Sequence, residues 1–361
     1  MRSVVIVGGG VVGLAVADAL SADRPVTVVE RGEPGEGTTA LSMAVFHRQS
    51  PSPTAFDAGL SRMAWETYGP AVDRGDLPYE RIGSLHVAET AAFARRLADA
   101  AGTLTDLGIE TQLLDADSLD RFGIEGEGLE GGIYTPDEGY FDPGALTAWL
   151  VDRCRERGCE LLTDTEVTGV RVEDGTVAGV ETGRGPIEAE VVVNAAGPWA
   201  ESVDAMVGLS LPLARTRGPI LDLSVGNPPE PFTLFERGSY LRSHPDGLYV
   251  GRYATRFEQR ELVDPDDPGS VSDPFRVGVD DLARFVPALD GASVADEWVG
   301  VRTVTPDGRP FVGETGVAGY HVATGMSGLG VTLAPAVGRH LARSIETGEP
   351  VPDELSPSRT D

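Results

Sequence analysis

Short, wholly apolar runs alternate along the chain with longer stretches of helical or two-residue periodicity, and their order predicts the elements. Val4-Val5-Ile6-Val7 is apolar and β-branched throughout, the pattern of a strand buried on both faces, and Gly8-Gly9-Gly10-Val11-Val12-Gly13 follows it directly. A helical pattern then runs to about Ala22. Pro25 ends the connection, and Val26-Thr27-Val28-Val29 forms a second strand that stops at Glu30, completing a βαβ unit. From Ala44 to about Gly139 the periodicity changes: helical stretches at 55–68 and 91–107 flank alternating segments such as Gly83-Ser84-Leu85-His86-Val87, as in a second domain inserted into the first. Asp142-Pro143-Gly144 starts a helix through Arg157, and Leu161-Leu162 leads into a hairpin of 167–172 and 177–180 turned at Asp174-Gly175. A buried strand at 190–194 ends in Ala195-Ala196-Gly197. Alternating segments at 219–223 and 240–253 return to the second domain, followed by an acidic, proline-bearing loop at 264–274. The tail holds a strand at 320–323, a turn at 324–328 and a long helix to about Ile345.

Length and composition narrow this picture. At about 150 residues per domain, 361 residues make roughly two domains, and 41% hydrophobic with 24% charged residues is the balance of a folded globular chain. With 29 basic against 57 acidic residues the net charge is −28, which excludes nucleic acid and anionic membrane surfaces as general partners. The chain has no lysine, which excludes a Schiff-base lysine, a pyridoxal phosphate anchor and a Walker-type phosphate lysine. An acidic, lysine-free surface fits a high-salt cytosol, where salt screens self-repulsion; the alternative is an ordinary acidic protein that uses Arg for Lys. Cys154 and Cys159 have no metal-ligand spacing around them and read as reduced thiols, so no metal is expected. Arg2 and the uncharged stretch to Ala17 imitate a secretory signal, but Gly8-Gly9-Gly10 interrupts its apolar helix. No other uncharged run approaches the roughly 20 residues of a membrane span, so the expected location is cytoplasmic.

Gly8, Gly10 and Gly13 allow a tight turn, approach of a pyrophosphate to backbone N–H groups, and close helix–strand packing, with the helix N-terminus facing the phosphates. Glu30, at the end of the second strand, is placed to accept from ribose hydroxyls and would repel the extra phosphate of NADP. The bland alternative is a glycine turn in a nucleotide-free sheet. Beyond this unit stand Glu30-Arg31 with Thr38-Thr39 and the stretch Val192-Val193-Asn194-Ala195-Ala196-Gly197-Pro198-Trp199. Trp298-Val299-Gly300-Val301-Arg302 follows, then Thr305-Pro306-Asp307-Gly308-Arg309-Pro310-Phe311-Val312-Gly313 and Gly325-Met326-Ser327-Gly328-Leu329-Gly330-Val331-Thr332-Leu333-Ala334-Pro335. Together, over most of the chain, these resemble the D-amino acid oxidase superfamily of FAD-dependent oxidoreductases, near glycine oxidase, sarcosine oxidase and D-amino acid dehydrogenases.

The resemblance implies an α/β fold: a Rossmann-like FAD-binding domain of glutathione reductase type (1–44, 140–215 and 295–361) and an interleaved α+β substrate domain (45–139 and 216–294) with a mixed, largely antiparallel sheet. It places Val11, Val12, Glu30 and Arg31 on the ADP half of FAD. Thr38, Thr39, Met43, Ala44 and Val45 fall on the pyrophosphate and flavin side, Val167 at the adenine, and Ala195, Ala196 and Gly197 beside the cofactor. Gly325, Met326, Ser327, Gly328, Leu329, Gly330 and Val331 form the loop facing the flavin O2 edge, where a helix N-terminus favours the charge of reduced flavin. Arg302 matches the arginine that pairs with a substrate carboxylate, a task suited to its bidentate fork, unless a local Asp or Glu occupies it. Tyr240 matches a pocket tyrosine, with packing on the sheet face as its alternative, and Tyr253, Arg252 and His47 are weaker candidates. Thr303 and Met326 depart from the proline and histidine common at their positions. Arg302 and Thr332 stand where sarcosine oxidases have their flavin-tethering cysteine and oxygen-activating lysine, so FAD is expected to be non-covalent. The implied reaction is oxidation of glycine, a small D-amino acid or an N-methylated amino acid by hydride transfer from Cα–H to flavin N5, with oxygen or a quinone or other electron carrier as acceptor. Two alternatives remain: an FAD-dependent 2-hydroxy acid dehydrogenase with His47 as base, and a non-catalytic FAD-binding subunit of a complex. Oligomeric state and the exact substrate stay open.

Overall fold

The computed structural model describes residues 3–20, 24–48 and 50–360. The first apolar run is the strand Val4–Val7, buried at every position. It lies inside a six-stranded sheet whose strands run in the order Phe311–Glu314, Tyr320–Thr324, Val191–Asn194, Val4–Val7, Val26–Val29 and Glu160–Leu162. All neighbours are parallel except Phe311–Glu314, which returns antiparallel on Tyr320–Thr324. The first helix, Val11–Leu20, buries Leu14, Val16, Ala17 and Leu20 against the sheet and against the last helix, Gly330–Thr347. The helix end expected at Ala22 lies outside the described residues.

A second sheet of eight strands runs in the order Ser293–Val304, Ala214–Ser224, Gly247–Arg252, Ser239–His244, Phe232–Phe235, Ser84–Ala88, Gly131–Thr135 and Gln112–Leu114. It is antiparallel except where Phe232–Phe235 runs parallel to Ser84–Ala88, the mixed sheet that the sequence implies. One face buries Leu85, Val87, Leu221, Leu241, Leu248 and Val250 with Val279, Leu282 and Phe285. The other face carries Ile220, Phe232, Leu234 and Tyr240, packed against Met43 and Val45 from the segment that follows the dinucleotide turn. That second face is where the two halves of the molecule meet.

Several elements differ from their sequence expectation. The helix expected at 55–68 continues as Ala55–Arg74 through Pro70, and stops where Gly75 takes a φ of 78°. Its Leu60, Ala64, Tyr68 and Ala71 join the core of the first and last helices, although they belong to the segment assigned to the second domain. The segment 240–253 is a hairpin, Ser239–His244 and Gly247–Arg252, turned at Pro245-Asp246. The eight-stranded sheet keeps Ser293–Val304 whole, so the chain leaves it after Val304 and not at the expected 295. Thr38 Oγ1 donates to Val301 O at 3.0 Å, and Trp298 Nε1 to Leu41 O at 3.1 Å, so this strand fastens one half of the molecule to the other. Among the described residues both cysteines are free, no His, Cys, Asp and Glu group could hold a metal ion, and no helix is long and apolar enough to cross a membrane.

Candidate active site

The turn after Val4–Val7 has the shape its glycines require. Gly8 has a φ of 112°, and a Cβ there would stand 2.6 Å from Ala195 O; a Cβ at Gly13 would stand 1.9 Å from Gly8 O. Only hydrogen fits at either place, which leaves the turn open to a ligand beside the strand end Ala195-Ala196-Gly197. The Glu30 carboxylate accepts from Gly9 N–H at 2.7 Å and Gly32 N–H at 3.0 Å, and Thr39 Oγ1 accepts from Val11 N–H at 3.2 Å. Val11 is buried, Val12 half-buried, and Gly10 has room up to Thr39 Oγ1 at 3.4 Å. Arg31 turns outward: its guanidinium lies 3.9 Å over the Trp199 ring and pairs with Asp266 at 2.6 Å, while Trp199 Nε1 donates to the same carboxylate at 3.1 Å. Asp266 belongs to the acidic loop, which thus reaches back to the dinucleotide end. Val167 opens the strand Val167–Glu173 and buries with Val5, Val7 and Val29.

Asn194, fully buried, sets the far wall. Its side-chain oxygen accepts from Ala196 N–H at 3.1 Å, while its Nδ2 donates to Ala200 O and to Asp204, both at 2.8 Å. Opposite, the loop 325–331 is laced to the strand Ser293–Val304. Ser327 N–H donates to Thr303 O at 3.0 Å, and Thr305 N–H to Ser327 Oγ at 3.4 Å. Gly328 lies against Arg302 Cδ, Tyr253 and Thr255. Glu30 is tied to the glycine turn through Gly9 N–H, and the helix-entry loop meets the turn where a Cβ at Gly330 would stand 3.8 Å from Val11 Cγ1; the residues present fit an FAD.

Arg302 projects from the same strand into the space between this loop and the eight-stranded sheet. Gly218, two residues along Ala214–Ser224 from the Arg302 register partner Thr216, leaves the opening: a Cβ there would lie 2.7 Å from the guanidinium carbon. Among the described residues Arg302 has no acidic partner. It donates to Arg217 O at 3.4 Å and to the Tyr240 hydroxyl at 3.5 Å. Tyr240 lies over Gly251, where a Cβ would stand 2.2 Å from its ring. Burial raises the pKa of Tyr240 and of Tyr253, each against the opposing charge of Arg302, so both stay neutral hydroxyls. A half-buried, acid-free guanidinium flanked by two neutral phenols has the chemistry to accept a carboxylate.

His47 stands at the other end of the aromatic row. Its ring meets Phe232 edge-on with centroids 5.6 Å apart, and Phe232 packs on Tyr240 at 5.7 Å. The His47 backbone N–H donates to Thr332 Oγ1 at 3.0 Å, at the start of the last helix. Its Nδ1 is 2.7 Å from Glu138, a carboxylate with no exposed surface that also accepts from Ser84 Oγ and from Arg48 N–H, both at 2.6 Å. Burial alone would raise the Glu138 pKa; His47, Ser84 and Arg48 together hold it below the usual carboxylate range. The buried carboxylate against Nδ1 fixes the orientation of the His47 ring.

Sequence reasoning placed Arg302, Tyr240 and Tyr253, which the fold brings together, and His47, which it sets apart from them. Arg252 is exposed. Sequence reasoning missed Glu138, Ser84, Gly218 and Arg242. Arg242, two residues from Tyr240 on the same strand, is only 6% exposed, has no acidic partner among the described residues, and lies 4.0 Å over the Tyr140 ring and 4.7 Å over that of Tyr249. The alternation of Tyr240 and Arg242 on one sheet face was the available signal.

The profile of the family described as FAD dependent oxidoreductase (DAO) matches residues 3–344. The chain is 26% identical to 4-methylaminobutanoate oxidase (formaldehyde-forming) of Paenarthrobacter nicotinovorans over 96% of its own length, but spans 44% of that protein. It is 28% identical to glycine oxidase of Geobacillus kaustophilus, over 96% of this chain and 93% of that one. The fold is similar to the crystal structure of L-proline dehydrogenase from P. horikoshii, with a TM-score of 0.88, 24% identity, and coverage of 99% and 97% of the two chains.

Proposed function

Since the chain belongs to the DAO family of FAD-dependent oxidoreductases, we propose that it oxidises a small amino acid or N-methylamino acid at the carbon bearing nitrogen. The carrying observation is Arg302, held between the 325–331 loop and Tyr240 with no carboxylate of its own. FAD supplies the hydride acceptor. Arg302 and Tyr240 bind the substrate carboxylate and so fix the direction of the Cα–H bond, which is the protein's main contribution to such a reaction. The apolar wall of Met43, Phe232 and Leu234 keeps water from the reacting carbon. The names of the relatives support this reading: 4-methylaminobutanoate oxidase and glycine oxidase both denote oxidation of an amine that also carries a carboxylate. The cofactor is held without a covalent bond in this reading: the two cysteines, Cys154 and Cys159, are buried thiols outside the segments 38–45 and 325–331, and Cys154 donates to Leu14 O.

One observation favours a second reading. His47, oriented by Glu138 at 2.7 Å, has the arrangement of a general base, which a 2-hydroxy acid needs for its hydroxyl proton and a neutral amine does not. Anaerobic mixing of the yellow protein with amino, N-methylamino and hydroxy acids, followed by flavin absorbance, separates the two. Bleaching by amines with an imine-derived product supports the first; bleaching by hydroxy acids alone replaces it with the second.

A further inference from the structure

Arg242 is a buried cation without an anion. In a chain of net charge −28, carboxylates are the commonest ionisable groups, yet none among the described residues pairs with this guanidinium. Its buried Nε has no hydrogen-bond partner among the described residues. Its immediate partners are tyrosines: Tyr140 and Tyr249 offer their ring faces and Tyr140 also a hydrogen bond, neutral contacts that stabilise a cation only in part, while the carboxylates Asp222 and Asp142 act on Tyr249 and do not pair with Arg242. Burying a charge is costly unless it is paired, so an unpaired guanidinium this deep marks a place that an anion enters.

Its position says which anion. Arg242 follows Tyr240 by two residues on the strand Ser239–His244, so both side chains rise from the same sheet face, roughly 7 Å apart along the strand. The Tyr240 hydroxyl lies 3.5 Å from Arg302 and feels the positive charge of both Arg302 and Arg242. Tyr140, over which Arg242 lies, pairs with Val45 in the flavin-facing segment. The carboxylate receptor and the unpaired guanidinium therefore flank one tyrosine on the wall that faces the cofactor. We propose that Arg242 is a second anion subsite of the substrate pocket, selecting amino or N-alkylamino acids that carry a second carboxylate a few atoms from the first.

For turnover this rests on the amine-oxidation reading; for binding it does not. The first measurement is binding of redox-inert succinate and acetate to the FAD-loaded protein, read from the shift in flavin absorbance and from calorimetry. Succinate is expected to bind at least tenfold more tightly, and equal affinities would overturn the proposal. The second measures kcat/KM for aspartate, N-methylaspartate and iminodiacetate against alanine and sarcosine, in the wild type and in Arg242→Gln. The ratio of dicarboxylate to monocarboxylate kcat/KM should fall about a hundredfold in the variant. Arg242→Lys, which keeps the charge without the fork, should restore part of it. An equal loss for both classes would assign Arg242 to packing and overturn the subsite. Where Arg242→Gln does not fold, the wild-type succinate measurement decides alone. If succinate binds preferentially but no amine bleaches the flavin, the subsite stands and the amine-oxidation reading falls.

Discussion

Arg302 reaches its position through the gap left by Gly218 and ends against a carbonyl and a phenol, with no acidic partner among the described residues. Arg302→Ala should raise KM for carboxylate substrates by about a hundredfold, since loss of a charge-assisted pair in a closed site costs about 2–4 kcal/mol. FAD content should be unchanged, because Arg302 makes no polar contact with the glycine turn or with Glu30. Arg302→Lys should rescue only in part, and steady-state kinetics beside flavin absorbance per subunit check both expectations. His86 bears on stability. Its ring is buried against Phe93, with Nδ1 lacking a hydrogen-bond partner among the described residues. Burial, and then the charge of His47, push its pKa from 6.5 to about 3 against the opposing pull of Glu138. The folded state therefore favours neutral His86. The stability it contributes is full above pH 6.5 and is lost as pH falls toward 3, while the unfolded chain takes up the proton first. The whole effect is on the order of 5 kcal/mol. Denaturant unfolding of His86→Leu should show a flatter decline between pH 6.5 and 3 than the wild type.

Between elements, the first and last helices cross closely. A Cβ at Gly338 would stand 2.5 Å from Ala15 O, so Gly338→Ala must push the helices apart and should cost about 1–3 kcal/mol. Gly59, in the helix Ala55–Arg74, has nothing within 4 Å of its Cβ position, and Gly59→Ala should instead stabilise by about 0.5–1 kcal/mol. Thermal unfolding of the two variants should move in opposite directions. The dinucleotide unit was legible because each part is local: four apolar residues, a glycine turn, and an acid closing the second strand. The long strand Ala214–Ser224 was read only at 219–223, because Arg215, Thr216, Arg217 and Gly218 have no apolar alternation. Pairing with Ser293–Val304 makes them a strand, and the need to clear Arg302 makes residue 218 a glycine. Glu138 was invisible for a related reason: Pro136-Asp137-Glu138 reads as an exposed acidic turn, and only the packing of Ser84 and His47 around it makes it a buried carboxylate.

Across the whole molecule, charge and chain path have separate consequences. A net charge of −28 repels itself most when the Debye length is long, about 30 Å at 0.01 M salt against about 3 Å at 1 M. We therefore propose a salt-adapted protein, whose melting temperature rises with KCl from low to molar concentration; a flat response would leave an ordinary acidic enzyme. The chain path bears on something else. The strand Val4–Val7 has one of its two sheet neighbours in Val191–Asn194, far along the chain, and that strand leans in turn on Tyr320–Thr324. The helix after the glycine turn is covered by Gly330–Thr347. The far side of Val191–Asn194 and the cover of the first helix are therefore completed only when residues 320–347 are in place, and until then this apolar surface is open to aggregation and to chaperones. A protein stopped at residue 304 should therefore emerge insoluble and colourless even though every residue of the glycine turn is present.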